Sequence, residues 1–367
     1  MGKRTIIFYA PVGTNLPVHM LGGGEKGCRR TREIFCNAGY NVKTIDKATM
    51  SYGVVSYVKS AVHAIVEIRK ELYANPDAIL YIVGFYEKNL PLEWILINSG
   101  GKERKTIYEA RNGRLVKAYH EKGILYKKLM DSVLKRADVI FAQGLEYVEF
   151  IRKIYGKQAI YTPNYVLNRR LKPYIAERSF DTIRLVYFGR VSESKNVDVV
   201  IKVAHELEKV GYNTLTTIIG GYTEDYKAKL NQVIKECRLR NEKVQIIGQQ
   251  PFERICDELQ KVHFFVFPSQ EKMEGHSNSL TEAMTFGVVP VVSTAGFNAS
   301  IVGNKELVVD GIDPMKYARV IESVIEKNIW SEYSLAVYRR IKENYTEDIV
   351  KKNILCAVDE LEDGENE

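Results

Sequence analysis

Two glutamates in the second half of the sequence have the residue type and spacing that could bind a polyhydroxylated ligand. Glu274 lies in the segment 269–277, directly after the apolar run 264–267, and Glu282 follows it by eight positions. Carboxylates accept hydrogen bonds from vicinal hydroxyl groups, whereas free backbone N–H groups at a helix N-terminus bind phosphate. The segment therefore favours a pocket for a ligand that carries both hydroxyl groups and negative charge.

The second glutamate also has a purely structural interpretation. Ser279 and Glu282 have the spacing of a capping box, in which the glutamate only satisfies a free N–H group at the start of a helix. Either Asn278 or Ser279 would cap this helix, and Gly287 would end it. That interpretation leaves Glu274 unexplained, so the ligand pocket and the capped helix both remain open at this point.

Two cations further towards the N-terminus have the spacing of an anion site. Arg190 and Lys195 flank a predicted strand-to-helix turn that follows the apolar run 182–188. Both side chains and the helix N-terminus can converge there on one anion. A diphosphate leaving group gains negative charge in the transition state, where preorganised cations stabilise it most. The alternative is a surface loop with ordinary charges.

These residues need parallel sheets to position them, and the sequence predicts such sheets. Short apolar runs, such as 5–9 and 264–267, alternate with segments of helical periodicity, which is typical of an α/β protein. A chain of 367 residues with 45% hydrophobic side chains is long enough for two domains of about 150 to 200 residues each. We predict domains at 1–170 and 171–345, followed by a final helix and an acidic tail at 346–367.

The pattern around the glutamates resembles a known donor-site signature. A Glu-Gly pair, seven residues between the glutamates, Glu-Ala-Met after the second, then Gly and Pro-Val-Val are similar to the retaining glycosyltransferases of family 4. Gly189-Arg190 followed by Lys195 resembles the same family. The resemblance implies an α/β protein of the GT-B fold, with two Rossmann-like domains whose parallel sheets face each other across a cleft. The second domain would hold a nucleotide sugar and the first its acceptor, and the final helix would cross back to the first domain.

The resemblance also implies roles for individual residues. Glu274 would contact the transferred sugar and Glu282 the ribose, while Arg190 and Lys195 would bind the donor phosphates. We expect catalysis to depend on Arg190, Lys195 and Glu274. His276 would shape its loop through the backbone rather than act as a base. The expected donor-binding residues are Gly22, Gly23, Gly24, Gly189, Gly275, His276, Ser277, Asn278, Ser279, Leu280 and Glu282.

The glycines near the N-terminus invite a different interpretation, a dinucleotide site. Residues 22–27 match G-x-G-x-x-G, and Asp46 lies 19 residues beyond Gly27. That fingerprint requires its glycines at the immediate end of the first strand, whereas about twelve residues intervene here. The resemblance instead implies that the backbone of 22–24 faces the donor diphosphate. A glycine-rich turn that starts a helix is the alternative for any one of the three.

Glu109, Arg111 and Asn112 follow the predicted strand 106–110. The resemblance implies that this strand end lines the acceptor side, where these residues could orient or deprotonate an acceptor hydroxyl. Members of the family often have His or Asp there, and this chain has neither. The alternative is an ion-paired strand end.

The two halves of the sequence carry opposite charge. Residues 1–175 contain 29 Lys and Arg against 15 Asp and Glu, and residues 176–367 contain 24 against 31. An anionic membrane or an acidic, lipid-linked acceptor suits the basic half, and a solvated surface is an equally open alternative. We find no nucleic-acid-binding motif and expect no nucleic acid partner.

Two predicted helices bear on the membrane question. The basic stretch 115–136 reads as helical and could lie on a membrane or pack on its own sheet. The helix predicted at 51–73 has four valines near one face, Val55, Val58, Val62 and Val66.

No cofactor is expected. The five cysteines and six histidines form neither a CxxC pair nor an HExxH pattern, so we predict no metal and a reduced, cytosolic environment. Arg190, Lys195 and helix dipoles can neutralise a diphosphate without a metal ion. No targeting segment is visible, and no apolar run approaches the roughly 20 residues of a membrane span. We therefore expect a cytoplasmic protein, peripheral to the inner face of the membrane if it binds one.

Taken together with the resemblance, the sequence predicts a retaining glycosyltransferase. It would move a sugar from a nucleotide-diphosphate sugar to a hydroxyl group of a glycan or lipid-linked acceptor, in bacterial surface polysaccharide synthesis. The alternatives are a nucleotide-sugar epimerase of the same fold, a non-catalytic glycosyltransferase-like binding subunit, and a dinucleotide oxidoreductase.

Overall fold

The computed structural model describes residues 3–14, 22–47, 53–174, 178–272 and 274–363. The chain forms two compact units, one made of Met1–Asn164 with Val350–Glu367 and the other of Tyr165–Ile349. The boundaries predicted from sequence were 170/171 and 345/346. Residues 175–177, near the first predicted boundary, lie outside the described part of the chain.

The first unit is built on a six-stranded parallel sheet in the order β2-β1-β3-β4-β5-β6. Its strands are β1 Thr5–Ala10, β2 Asn41–Asp46, β3 Ile79–Gly84, β4 Thr106–Ala110, β5 Val139–Ala142 and β6 Ala159–Tyr161. Its helices are α1 Gly23–Asn37, α2 Val54–Ala74, α3 Leu90–Ile97, α4 Leu115–Glu121, α5 Ile124–Arg136 and α6 Leu145–Tyr155. Strand β3 is buried along its whole length, because a parallel sheet carries helices on both faces.

The second unit has a six-stranded parallel sheet in the order β12-β11-β10-β7-β8-β9. Its strands are β7 Ile183–Phe188, β8 Thr214–Ile219, β9 Val244–Ile247, β10 Phe264–Phe267, β11 Val289–Ser293 and β12 Val308–Val309. Its helices are α7 Val197–Lys209, α8 Glu224–Glu236, α9 Phe252–Leu259, α10 Asn278–Met284, α11 Asn298–Val302, α12 Pro314–Glu326 and α13 Trp330–Asn344. The last helix of the chain is α14, Glu347–Asp363.

The order of the second sheet determines where a ligand can bind. The chain runs outward from β7 through β8 to β9, then returns to the other side of β7 and continues through β10, β11 and β12. The loops that leave β7 and β10 therefore diverge in opposite directions. A crevice opens at such a switch point, outside the carboxyl ends of the two strands, and open α/β sheets bind their ligands there.

The end of the chain packs on the first unit. Lys3 contacts Asp359 at 3.2 Å, and the hydroxyl group of Tyr40 donates to Glu362 at 3.1 Å. Helix α13 ends at Asn344, and α14, which begins at Glu347 and ends at Asp363, lies within the 346–367 segment where a final helix was predicted. Residues 364–367 of the predicted acidic tail lie outside the described residues.

The prediction of one helix over 115–136 was wrong. Helix α4 ends at Glu121 and α5 begins at Ile124. Lys122 and Gly123 between them adopt extended backbone angles, with ψ near 158° and 171°. A residue with such a ψ cannot continue the helical hydrogen-bond ladder, so the basic stretch divides into two shorter helices.

Candidate functional site

The loop after β7 carries both predicted phosphate-binding cations. Gly189 adopts a φ of +139°, which favours glycine, and the chain then turns through Arg190 into a short 3-10 turn that ends at Lys195. A Cβ atom at Gly220, after β8, would lie 1.7 Å from the carbonyl oxygen of Gly189. Glycine at both positions therefore lets the ends of β7 and β8 approach closely.

The loop after β10 is bonded directly to the loop after β7. The backbone N–H of Gln270 donates to the carbonyl of Ser194 at 3.1 Å. The side chain of Asn196 donates to the carbonyl of Pro268 at 3.0 Å. These bonds cross the switch point and hold the two loops in register, so side chains from both can meet there.

Lys195 brings the two loops together through ion pairs. Its Nζ lies 2.5 Å from Oε2 of Glu274 and 2.6 Å from Oε2 of Glu271. The hydroxyl group of Ser269 donates to the same oxygen of Glu274 at 2.5 Å. The side chains of Lys195 and Glu274 are only 10% and 9% exposed, so solvent weakens this attraction little. Lys195, Glu271, Glu274 and Arg190 form what we call the switch-point cluster.

Arg190 reaches the cluster from the solvent side. Its guanidinium group lies 3.7 Å from Glu271, and its side chain is 68% exposed. The carbonyl of Arg190 accepts a hydrogen bond from the hydroxyl group of Tyr187 at 2.6 Å, which fixes the backbone while the side chain projects outward. Three of the four side chains that were predicted to act together, Arg190, Lys195 and Glu274, thus belong to one cluster.

Glu271 was missed by the sequence analysis. Partial burial acts to raise the pKa of its carboxyl group, but the hydrogen bond and charge of Lys195, with the charge of Arg190, hold that pKa below its usual value. It is therefore an anion that pairs with both predicted phosphate-binding cations. Its position in a polar loop at the carboxyl end of a predicted strand was the available signal.

Helix α10 starts in a different way from the prediction. Its N-cap is Ser277, whose side chain accepts from the N–H group of Leu280 at 3.4 Å, and not Asn278 or Ser279. The capping box also fails, because the carboxylate of Glu282 contacts the guanidinium group of Arg170 at 2.7 Å. At the other end, Gly287 adopts a φ of +67° just after the helix, as predicted for a glycine stop.

The pairing of Glu282 connects it to a region that the sequence did not indicate. The guanidinium group of Arg170 lies 3.9 Å from the centre of the Phe252 ring, within the range of a cation–π interaction. Glu282 is thus positioned through Arg170 and the start of α9. It stands apart from the ion pairs of Lys195.

The remaining predicted donor-binding residues surround the start of α10. Ser277 and Ser279 exchange a hydrogen bond at 3.1 Å, and the hydroxyl group of Ser279 would lie 3.8 Å from a Cβ atom on Gly189. Leu280 is fully buried in the core. The other three, Gly275, His276 and Asn278, lie within or next to the same turn.

His276 is a poor candidate for a general base. Burial lowers the pKa of its imidazole to about 3, so the ring is neutral and weakly basic near pH 7. Its ring contacts that of Tyr345, with centroids 5.1 Å apart. That His276 shapes its loop through the backbone stays a prediction.

Gly296, in the loop after β11, packs closely against the backbone of Glu274. It has a φ of +55°, and a Cβ atom there would lie 2.4 Å from the carbonyl oxygen of Glu274. Only glycine allows this close approach of two backbone segments. The conformation of Glu274 therefore depends on the loop after β11 as well as on Lys195.

We expect Gly296→Ala to displace Glu274 and to lower the melting temperature. The left-handed φ costs about 1–2 kcal/mol for alanine, and the clash adds to this cost. A loss of that size lowers the melting temperature by about 2–8 °C in a domain of this size, which calorimetry would measure. Gly311→Ala is the matched control, because Gly311 has a φ of +85° with no atom within 4 Å. Equal losses in the two variants would show that the contact with Glu274 contributes nothing.

The predicted glycines of the first unit start a helix. Gly22 is the N-cap of α1, and Gly23 and Gly24 form its first turn. Asp46, which completes the apparent dinucleotide fingerprint, accepts hydrogen bonds from the N–H groups of Val12 and Thr14 at 3.0 and 2.8 Å. Its carboxylate thus stabilises the loop after β1, which accounts for it without a ribose.

The predicted acceptor residues form a buried network at the end of β4. The guanidinium group of Arg111 contacts Glu109 at 2.7 Å, and Glu109 also accepts from the hydroxyl group of Tyr81 at 2.8 Å. Asn112 has a φ of +62° and accepts from the N–H group of Arg114 at 2.9 Å. All three predicted residues are at least 94% buried, an arrangement that favours the ion-paired strand end.

Within the described ranges, no three His, Cys, Asp or Glu side chains are grouped closely enough to form a metal centre. The chemistry that this unit offers near the switch point is that of two cations, two carboxylates and several hydroxyl groups. The two cations can bind a diphosphate when they exchange their carboxylate partners for it, and the carboxylates can accept hydrogen bonds from sugar hydroxyl groups.

The fold and a family model indicate the class of protein that this chain resembles. Two Rossmann-like units with parallel six-stranded sheets are the architecture of the GT-B glycosyltransferases. Residues 176–347 match the family model of glycosyl transferases group 1. That match covers nearly all of the second unit and supports a group 1 glycosyltransferase. A comparison with curated proteins returned no match.

Solved structures share the fold over nearly the whole chain. A sucrose-phosphate synthase from Thermosynechococcus elongatus aligns with a TM-score of 0.74 and 13% identity, covering 98% of this chain and 99% of that one. A glycosyltransferase from Rickettsia africae aligns with a TM-score of 0.71 and 12% identity, covering 98% of this chain and 99% of that one. Anabaena HepE in complex with UDP aligns with a TM-score of 0.70 and 13% identity, covering 97% of this chain and 99% of that one.

Proposed function

We propose that the protein is a retaining glycosyltransferase of family 4 that uses a nucleotide-diphosphate sugar. The observation that carries this proposal is the switch-point cluster, in which Lys195 contacts Glu274 at 2.5 Å beside Arg190. A pair of cations next to a carboxylate suits a ligand whose diphosphate and sugar hydroxyl groups lie side by side. The solved structure of Anabaena HepE with UDP supports a UDP sugar as the donor.

In this proposal the cluster exchanges its internal ion pairs for bonds to the donor. Arg190 and Lys195 bind the diphosphate and stabilise the charge that develops as the bond from the anomeric carbon to the phosphate oxygen breaks. Glu274 accepts hydrogen bonds from the sugar and fixes its orientation. Glu282, now paired with Arg170, would exchange that partner for the ribose.

Retention of configuration follows from attack on the face that the phosphate leaves. The sequence places no pair of carboxylates by spacing as nucleophile and acid, and both carboxylates of the switch-point cluster pair with Lys195. The proposed step is therefore a front-side displacement through an oxocarbenium-like state. The acceptor oxygen forms its bond to the anomeric carbon, and its proton passes to the departing phosphate oxygen. Because the departing phosphate takes this proton, the step needs no protein base, and Glu109 and Arg111 can remain bound to each other.

The proposed acceptor is a hydroxyl group of a glycan or a lipid-linked saccharide, bound by the first unit, as in surface polysaccharide synthesis of bacteria. The protein would work in the cytoplasm, at the inner face of the membrane. No metal ion is required in this proposal, since two cations already face the diphosphate.

A thermal-shift screen followed by turnover tests the proposal. UDP- and GDP-sugars are added singly, with and without EDTA, and we expect one nucleotide class to raise the melting temperature whether or not EDTA is present. Transfer is then measured by mass spectrometry with a saccharide mixture, and the anomer of the product is assigned by NMR. Conversion of the sugar without an acceptor would indicate an epimerase, and binding without turnover a non-catalytic subunit. An inverted product would exclude the retaining mechanism.

Glu271 gives a further prediction, because it pairs with the two cations that the diphosphate needs. We expect Glu271→Gln to tighten UDP binding by roughly three- to tenfold, since the diphosphate then competes with one carboxylate fewer for Lys195. Isothermal titration calorimetry at two salt concentrations would measure the change. Glu193→Gln is the control, because Glu193 pairs with Lys229 and not with the cluster. Weaker binding by Glu271→Gln would mean that the carboxylate itself contacts the donor.

A further inference from the structure

Helix α2 turns an apolar face outward. Val55, Val58, Val62 and Val66 are between 53% and 84% exposed, and Tyr73 is 90% exposed. Steps of three, four, four and seven residues place these side chains on one side of the helix. We call this row the valine face of α2. The spacing of the four valines predicts that they share one side of the helix, but not whether that side faces the sheet or the solvent.

The valine face adds nothing to the core of the first unit. The opposite side of α2 already carries the buried residues Ala64, Ile68 and Leu72, which pack towards the sheet. Valine is also a weaker helix former than alanine, lysine or glutamate. A helix side that only faced water would therefore be more stable with those residues than with four valines. A contiguous exposed apolar row of this kind marks a contact surface.

The charges beside the valine face are positive. Lys59 follows Val55 by four positions and Lys70 follows Val66 by four, so both lie on the same side of the helix. Arg69 is exposed between them. The acidic residues of α2, Glu67 and Glu71, lie towards the partly buried flank, and Glu67 approaches Lys70 at only 3.7 Å.

A second exposed apolar pair lies at the same edge of the unit. Ile124 and Leu125 begin α5 and are 74% and 71% exposed, with Lys122 and Lys128 beside them. Helix α3 packs against both α2 and α5. Helix α2 follows β2 and so starts at the carboxyl edge of the sheet. The hydroxyl group of Tyr126, in the first turn of α5, accepts from the N–H group of Glu87 just beyond β3, so α5 starts at the same edge.

We infer that the valine face of α2 docks on an anionic lipid bilayer, with the helix lying in the plane of the interface. A row of valines without large anchoring side chains suits shallow insertion among acyl chains, and the flanking cations suit anionic headgroups. Tyr73 has the amphipathic ring that favours the headgroup level. A second copy fits less well, because a symmetric contact would bring Lys59, Arg69 and Lys70 close to their own counterparts.

This inference rests on the proposed lipid-linked acceptor for its purpose, but its test does not require turnover. Among the described residues, no helix is both long and apolar enough to span a bilayer, so the binding is expected to be peripheral. The full chain is mixed with vesicles of phosphatidylcholine alone or with 30% phosphatidylglycerol, and binding is measured by flotation at low and high salt. We expect binding to the anionic vesicles that weakens with salt.

Two double variants separate the apolar contribution to vesicle binding from the electrostatic one. Val58→Ala with Val62→Ala removes apolar area while raising helix propensity, and we expect the partition coefficient to fall at least about tenfold. Lys59→Gln with Lys70→Gln should lower it about 25-fold, at about fivefold per charge. The controls are Val210→Ala and Lys316→Gln, two exposed positions in the second unit, which should leave it unchanged.

Each other outcome overturns the inference. Absence of binding to anionic vesicles, or binding that the α2 variants leave unchanged, would exclude this surface. A dimer in sedimentation that the double valine variant converts to monomer would make a second copy the occupant. Transfer to a water-soluble acceptor should be unchanged in the α2 variants, so that a failure of the proposed enzyme activity is distinguishable from a failure of membrane docking.

Discussion

Replacement of Lys195 with alanine is expected to lower kcat for sugar transfer about 100- to 1000-fold, the usual loss when one preorganised donor to developing charge is removed. Lys195 is the side chain that touches both carboxylates of the switch-point cluster, at 2.5 and 2.6 Å. In the reaction it would give up these partners for the diphosphate. Steady-state kinetics with a UDP sugar and saturating acceptor would measure the loss, and the affinity for UDP should fall as well.

The controls for this variant must separate chemistry from folding. Removal of one partner of a buried ion pair destabilises a protein, because Glu271 and Glu274 would remain without their main cation. Calorimetry would show whether the fold persists at the assay temperature. Lys229→Ala removes a lysine from an exposed pair with Glu193 and should leave turnover unchanged. Wild-type turnover by folded Lys195→Ala would remove this lysine from the site.

The path of the second unit could be predicted from its sequence because the signals are local. Apolar runs such as 264–267 are too short for helices, and a helix between two of them implies parallel pairing. Arg190, Lys195 and Glu274 all follow predicted strands, and strand ends share one edge of a parallel sheet. Their meeting at the switch point follows from the strand order, in which β7 and β10 are neighbours.

The partners of the site residues could not be predicted in the same way. Glu271 and Glu274 are three positions apart in one loop, and both face Lys195 because the hydrogen bonds from Gln270 to Ser194 and from Asn196 to Pro268 hold the two loops together. Arg170, at the predicted domain boundary, reaches Glu282 from 112 positions away in the sequence. Contacts over such distances depend on packing that periodicity does not describe.

The direction of an apolar helix face is a similar case. Helix α2 has two apolar sides, and the valines had the clearer spacing. The structure packs Ala64, Ile68 and Leu72 towards the sheet and leaves Val58 and Val62 exposed. The sequence pattern records only that both sides are apolar, and it does not show which of them meets the sheet. The start of α10 shows the same limit, because three adjacent polar residues could each have capped it and Ser277 does.

Glu274→Ala is expected to abolish most sugar transfer while preserving nucleotide binding, and this combination distinguishes it from loss of Lys195. If Glu274 holds the sugar, its removal should lower kcat/KM about 100-fold or more, because orientation at the anomeric carbon is lost. The affinity for UDP alone should stay equal or rise, since Lys195 then has one carboxylate fewer to exchange. Steady-state kinetics would measure the loss of transfer, and calorimetric titration with UDP and with the UDP sugar would measure the affinities.

Glu253→Ala, on α9, is the control for a general effect of removing a glutamate. Parallel loss of UDP binding and turnover would place Glu274 on the diphosphate side instead, and unchanged turnover would exclude it from the reaction.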